Sequence, residues 1–267
     1  MIYSINGYLI IGEGSRINIC ELSQINPSEI KIISYIENKN IPICSKTKLK
    51  FIITGDLLQS ITWLHFSQDS SHRDKPYIYV KGIDFSEYKS SALEFWIDDS
   101  SSEENKENYN YKNGCLLGDN KGNLHIFLMD NEQGKINSQK LIEFADIHIG
   151  KVLSEIKYYS YEDKSANFYS ALDGSIGFIK PIGKDIYNSL FMLCEFIYNH
   201  FPFNAGLNPK SFFRCDYINK KEKSNILDFD LLKLYLDLPV TTQTIIAKNI
   251  GLKREDLIRL INKVNNI

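Results

Sequence analysis

The sequence predicts a mainly β protein with a C-terminal α part, namely a partial β-propeller of about four blades followed by a small helical domain. In the first two-thirds of the chain, one unit recurs four times: an apolar strand, a turn with Gly or Asp, and a second apolar strand. From Gly183 onward, the period of the apolar residues changes from two to 3.6. We therefore expect blades over residues 1–182 and a helical domain over residues 183–267.

The repeated hairpins have the spacing of propeller blades. They pair residues 8–12 with 17–20, 50–55 with 61–64, 115–119 with 124–128, and 168–174 with 176–179. The turn residues Gly12, Gly55, Gly118 and Gly174 are 43, 63 and 56 residues apart, whereas blades repeat at roughly 40–50 residues. Residues 98–110 hold five acidic residues and one basic residue, so an acidic insertion near 98–112 explains the longest interval. A β-sandwich of the same hairpins is the alternative fold.

Four blades raise a question of closure. A propeller ring has typically 4–8 blades, and an open arc of wide blades leaves apolar faces uncovered at both ends. The chain starts almost within a strand, at residues 1–3. We expect it to be the last part of a larger ring, either completed by a partner or truncated.

Four helices are predicted in the C-terminal part. Ile186, Leu190, Leu193 and Ile197 share one side of a helix over 185–199. Further helices are predicted near 229–236, 242–249 and 254–263, with a break at Pro239 and a stop around Gly251.

The last two of these helices also have helix-turn-helix spacing. In a nucleic-acid-binding interpretation, the basic residues that would face phosphates or bases are Lys253, Arg254 and Arg259. In the structural interpretation, two short antiparallel helices need the glycine between them. The structural interpretation is favoured because Glu255 and Asp256 would offset the positive charge.

Composition excludes several classes of protein. The net charge is −2, with +4 on residues 180–267 and −6 on residues 1–179, which falls short of a basic nucleic-acid footprint. The five cysteines are widely separated, without a C-x-x-C pair, so neither a disulfide framework nor a zinc site is expected. The sequence has no apolar stretch approaching the roughly 18 residues of a membrane span.

Catalysis finds no support in the motifs. The five histidines are scattered, and none of the common nucleophile, phosphate-loop or metalloprotease patterns occurs. We expect Asp56, Asp119 and Asp173 to bond turn backbone, His125 to be a surface or packing residue, and residues 146–150 to form a strand-entry turn. The expectation is a protein that is not an enzyme and has no cofactor and no metal.

The most particular stretch is residues 204–214, followed by residues 226–232. Asn208-Pro209 predicts a turn, and Asp228 and Asp230 can cap the next helix. The residues that carry this motif are Gly206, Leu207, Asn208, Pro209, Phe212, Arg214, Asp228 and Asp230.

This motif closely resembles the C-terminal region of the largest subunit of the cleavage and polyadenylation specificity factor, a triple β-propeller family. Similar landmarks follow in the family's order at residues 12–17, 117–119, 145–150 and 172–177. Two related families share the architecture: the damaged-DNA-binding adaptor of ubiquitin ligases and a spliceosomal subunit. They match residues 205–209 less well.

The resemblance implies a nuclear, non-enzymatic scaffold subunit of the mRNA 3′-end cleavage and polyadenylation machinery. Its implied partners are a WD-repeat subunit and a zinc-finger subunit, with the poly(A) signal of pre-mRNA bound mainly through them. The alternatives are a nucleic-acid-binding module that uses the C-terminal helices, or a related scaffold in DNA repair, ubiquitin ligation or splicing.

Overall fold

The β part consists of four antiparallel sheets in which strands adjacent in sequence are neighbours. The computed structural model describes residues 2–23, 29–38, 41–68, 75–96, 114–129, 141–161, 164–200 and 225–265. The predicted insertion near 98–112 lies outside these residues. Blade 1 contains β1 (Ile2–Ile5), β2 (Tyr8–Glu13), β3 (Arg16–Leu22) and β4 (Ile30–Glu37). Blade 2 contains β5 (Pro42–Lys48), β6 (Phe51–Asp56), β7 (Ile61–Ser67) and β8 (Tyr77–Ile83).

The third and fourth sheets continue the same pattern. Blade 3 contains β9 (Ser90–Trp96), β10 (Gly114–Asp119), β11 (Asn123–Met129) and β12 (Leu141–His148). Blade 4 has three strands, β13 (Leu153–Tyr161), β14 (Lys164–Ala171) and β15 (Ile176–Ile179). The four predicted hairpins are β2–β3, β6–β7, β10–β11 and β14–β15, so each was correctly located.

The sheets pack face to face in sequence order, and each of the two middle blades is covered on both faces. Blades 1 and 2 share a core that includes Ile19 and Phe66, and blades 2 and 3 share one that includes Trp63 and Phe127. Blades 3 and 4 share a third core. The first strands of three successive blades, β5, β9 and β13, lie beside one another. This radial arrangement confirms the partial propeller and excludes the sandwich, in which two sheets would enclose one core.

Two of the repeated glycines allow close packing between neighbouring blades, and they do not form turns. Gly55 and Gly118 lie within strands β6 and β10 rather than in the turns we expected. A Cβ atom at Gly55 would lie 2.7 Å from Ser90 Cβ of blade 3, and one at Gly118 would lie 3.0 Å from Leu153 Cβ of blade 4. Gly174 does occupy a turn, with φ 84°. Glycine therefore recurs at positions 55 and 118 because the next blade approaches the strand closely there.

At one rim of the arc, backbone hydrogen bonds tie turns to the loops that connect successive blades. The turn between the second and third strands of a blade bonds a loop that connects that blade to a neighbour. Ser60 N donates to Ser86 O at 3.0 Å, Asn120 N to Lys89 O at 3.0 Å, and Leu172 N to Val152 O at 3.0 Å. We call this edge the bonded rim.

The C-terminal part is helical, as predicted. Its helices are α1 (Lys184–His200), α2 (Phe229–Asp237), α3 (Val240–Ile250) and α4 (Arg254–Asn265). They enclose a core of their own that includes Leu193, Tyr235 and Leu257. Pro239 precedes α3, and Gly251 ends it in the left-handed conformation at φ 82°, which glycine adopts without strain. None of the helices among the described residues is long and apolar enough to cross a membrane.

Candidate interaction surfaces

The outer face of blade 1 is apolar and uncovered by the rest of the described chain. Cross-strand partners point to the same side of a sheet, and the pairs Leu9 with Cys20 and Cys20 with Ile32 therefore share a face. Ile32 is 55% exposed and Tyr35 58% exposed. The apolar side chains of this open face are Ile2, Leu9, Ile11, Leu22, Ile30, Ile32 and Tyr35.

The open face is apolar at one end, and its other end carries Glu13, Arg16 and Glu37. The opposite side of blade 1 carries Ile10, Ile17 and Ile19, which are fully covered by blade 2. A sheet with isoleucines on both sides is typical of a layer between two others. Exposed apolar patches are typical of interaction surfaces, so this face is a candidate for one.

A second candidate surface lies where the helices meet blades 3 and 4. A cavity of about 860 Å³ opens there, between Trp96 and Tyr169 of the blades and Tyr187 and Phe229 of the helices. Asn225 Nδ2 fixes one wall by donating to Phe144 O at 2.7 Å. The cavity is of the size that holds a small ligand or several side chains of a partner.

Of the predicted motif residues, the structure describes Asp228 and Asp230. Asp228 is buried and caps α2, since its Oδ1 accepts from Asp230 N at 3.0 Å. Asp230 lies in the first turn of α2, 3.7 Å from Lys233 Nζ. The predicted capping is confirmed for Asp228, whereas Asp230 supplies the backbone N–H that Asp228 caps. Gly206, Leu207, Asn208, Pro209, Phe212 and Arg214 lie outside the described residues.

The basic residues of the last helices take part in local contacts. Arg254 Nε donates to the buried Gln243 Oε1 at 2.7 Å, and Arg259 lies 3.4 Å from Asp256 Oδ1. Lys253 lies in the short connection between α3 and α4. Arg254 is thus held in the helical core region, and these residues do not present three free cations on one side.

Blade 3 contains a buried cluster of ionisable groups that the sequence analysis missed. His125 is 2% exposed; its Nδ1 lies 2.7 Å from Glu143 Oε1, and its Nε2 lies 3.5 Å from Asp119 Oδ2. The ring of Tyr88 stacks on His125 with centroids 3.9 Å apart. The sequence predicts that His125 lies in a strand. It does not predict the contacts of His125, because Glu143 comes from the neighbouring strand and Tyr88 from a loop.

The electrostatics of this cluster favour a protonated His125 beside an ionised Asp119. Burial opposes ionisation of His125, but the Asp119 and Glu143 carboxylates outweigh it and raise the pKa of the imidazole. Burial likewise opposes ionisation of Asp119, but His125 and hydrogen bonds from Asn123 outweigh it and lower the pKa of that carboxyl. The enclosed cluster joins β10, β11 and β12, so its arrangement suits cohesion of the blade.

The other predicted turn aspartates differ from one another. Asp119 Oδ1 accepts from Lys121 N at 2.9 Å, and Asp173 Oδ1 accepts from Ser175 N at 3.0 Å, as expected of turn residues. Asp56 instead receives Asn38 Nδ2 at 3.4 Å, and burial raises its pKa to about 6. Residues 146–148 end strand β12, so the expected strand-entry turn at 146–150 was wrong in its first half.

An arc of propeller blades followed by a helical core, with broad uncovered faces, defines a β-propeller repeat protein. The model of the CPSF A subunit region family matches residues 1–237, and the chain belongs to that family.

Curated relatives agree with this assignment. The chain is 25% identical to cleavage and polyadenylation specificity factor subunit 1 of Drosophila melanogaster over 94% of its length, and 26% identical to that of Arabidopsis thaliana over 96%. It is also 25% identical to DNA damage-binding protein 1 of Drosophila melanogaster over 87% of its length. These matches span only 17 to 20% of the relatives' own lengths.

Proposed function

We propose that this chain is a non-enzymatic scaffold subunit of the nuclear mRNA 3′-end cleavage and polyadenylation machinery. The observation that carries the proposal is the family match over residues 1–237, together with relatives named as subunit 1 of the cleavage and polyadenylation specificity factor. The proposal divides the chain into blades over residues 1–182 and a helical domain over residues 183–267.

The structure supports a role in assembly through its uncovered apolar surface. Rigid blades hold the open face of blade 1 in one geometry, so little conformational entropy is lost when a partner layer packs on it. Standard protein interfaces bury roughly 800 Å² on each partner, so the open face can supply part of one. The expected partners are a WD-repeat subunit and a zinc-finger subunit, and pre-mRNA is held through the complex.

Affinity purification of the tagged chain from RNase-treated nuclear extract tests this proposal. We expect polyadenylation-factor subunits among the captured proteins. Ile32→Asp should reduce their capture because it places a charge on the open face. Ile245→Asp is the matched control, since Ile245 on α3 is also 55% exposed. Capture of only ubiquitin-ligase or splicing subunits would assign the chain to a related scaffold instead.

The alternative of a nucleic-acid module in the C-terminal helices has less support. Arg254 is engaged with Gln243, and Arg259 with Asp256. A salt-dependent affinity for duplex or single strands that disappears when Lys253, Arg254 and Arg259 are replaced would favour that alternative.

A further inference from the structure

The cavity between the helices and blades 3 and 4 has walls from both parts of the chain, and we call it the helix–blade cavity. Its volume is about 860 Å³, within the roughly 300–1,000 Å³ that is typical of sites for small molecules. Blade 3 contributes Trp96 and Phe144, and blade 4 contributes Tyr169 and Phe178. The remaining wall comes from residues of α1, α2 and the end of α4.

The walls of the helix–blade cavity are mostly apolar, and part of this apolar surface is open to solvent. Phe144 is 47% exposed and Ile176 is 78% exposed, although both line the cavity. On the helical side, the wall includes the aromatic rings of Tyr187 and Phe229. An apolar ligand would therefore remove unfavourable surface from water on both sides of the cavity.

The charge that remains available at the cavity is positive. Its two lining carboxylates, Asp228 and Asp230, are already engaged: Asp228 Oδ1 accepts from Asp230 N at 3.0 Å, and Asp230 Oδ1 lies 3.7 Å from Lys233 Nζ. Lys184 also lines the cavity, at the first position of α1. It forms no ion pair within the part of the chain that the structure describes. The helix–blade cavity thus places an unneutralised cation beside apolar walls.

We propose that the helix–blade cavity binds a long-chain carboxylate, that is, a fatty-acid-like molecule. Its carboxylate lies at Lys184, and its acyl chain lies along the aromatic walls. An acyl chain carries no polar group that the apolar walls would leave unpaired, whereas a peptide brings a polar backbone with every residue. The inference goes beyond the proposed function, which gives the chain no small-molecule ligand.

Isothermal titration calorimetry with the purified full chain tests the cavity, with every ligand kept below its micelle concentration. The probes are decanoate, hexanoate, decylammonium and naphthalene-2-carboxylate. Each buried methylene adds roughly fourfold to affinity, so hexanoate should bind at least about tenfold more weakly than decanoate. Decylammonium has the same chain with the opposite charge, and it should also bind at least about tenfold more weakly.

Two variants separate the charge from the apolar wall. Lys184→Gln should weaken decanoate binding about fivefold or more and should bring decanoate and decylammonium closer in affinity. The matched control is Lys248→Gln on α3, a helix that contributes no residue to the described lining of the cavity. Decanoate affinity should be unchanged in this control.

Phe144→Asp should weaken decanoate binding about tenfold or more, because it puts a carboxylate in the apolar wall. Ile142→Asp is its control, since Ile142 lies on the same strand and is 45% exposed but does not line the cavity. Thermal unfolding checks that each variant folds, and Lys184→Gln decides the question if Phe144→Asp does not fold.

The inference is overturned if decanoate shows no saturable binding, or if decylammonium or naphthalene-2-carboxylate binds as tightly as decanoate. It is also overturned if the cavity variants bind decanoate as well as their controls do. None of these measurements involves another subunit, and the affinity purification uses no ligand. The cavity inference and the scaffold proposal can therefore fail independently of each other.

Discussion

Tyr235 and Gln243 bind each other's backbone reciprocally. Tyr235 Oη donates to Gln243 O at 2.9 Å, and Gln243 Nε2 donates to Tyr235 O at 2.9 Å and to Leu236 O at 3.1 Å. The last carbonyls of a helix have no partner within it, so a side chain from α3 caps the C-terminus of α2. Arg254 from α4 completes the network through Gln243 Oε1.

Gln243→Leu should therefore destabilise the helical part by about 2–3 kcal/mol. Leu236 O and Arg254 Nε lose the Gln243 side chain, and Tyr235 O keeps the weaker bond from Leu238 N. Urea unfolding followed by circular dichroism measures this change. Thr244→Ala is the matched control: its hydroxyl bonds Val240 O on the exposed side of α3, and a loss of about 0.5 kcal/mol or less is expected. Equal losses in the two variants would contradict the capping role.

Gly55→Ala should destabilise the seam between blades 2 and 3 by about 1–3 kcal/mol, the usual cost of overpacking. The new Cβ would lie 2.6 Å from both Cys44 Sγ and Ser90 Oγ. Gly183→Ala is the control, because a Cβ there meets nothing within 4 Å. Differential scanning calorimetry compares the two, and an unchanged melting temperature for Gly55→Ala would show that the seam can adjust.

His125→Gln should cost more stability at pH 5.5 than at pH 8.5. The pKa of His125 is raised in the folded state, so the stability from its charged form is fully present below the unfolded value near 6.5. It is lost as the pH rises through the folded pKa. Chemical unfolding at both pH values measures the difference. Tyr88→Phe, which removes a hydroxyl 3.3 Å from Glu143 Oε1 but keeps the stacked ring, should show a smaller and nearly constant loss.

Asp56→Asn should raise stability above pH 7 by about 1 kcal/mol or more. Burial raises the pKa of Asp56 to about 6. Between pH 4 and 6 the unfolded carboxyl loses its proton while the folded one keeps it, so the free energy of unfolding falls as the pH rises through this range. The amide has no such proton and can still accept from Asn38. Unfolding curves from pH 4 to 8 should be flatter for the variant, and parallel curves would refute this account.

The sequence was sufficient for the central hairpins and the helices because their signals are local. Apolar runs with turn residues located β6–β7, and the period near 3.6 with Pro239 and Gly251 bounded α3. The meaning of Gly55 was not local, because the atom that requires a glycine there is on Ser90 of the next blade. The open face could not be predicted from the sequence either. Ile10 and Ile32 both occur in apolar strands, and only the packing of blade 2 shows that Ile10 is covered and Ile32 is not.

The two edges of the arc differ in how well they tolerate inserted residues, because only one of them is the bonded rim. An insertion between β6 and β7 or between β10 and β11 would break hydrogen bonds to the loop that connects blades 2 and 3, such as Ser60 N to Ser86 O. The connections from first to second and from third to fourth strands lie at the opposite edge. In the sequence, the acidic residues near 98–112 fall between β9 and β10. Length variation can therefore accumulate on one side of the protein while the other keeps a fixed outline.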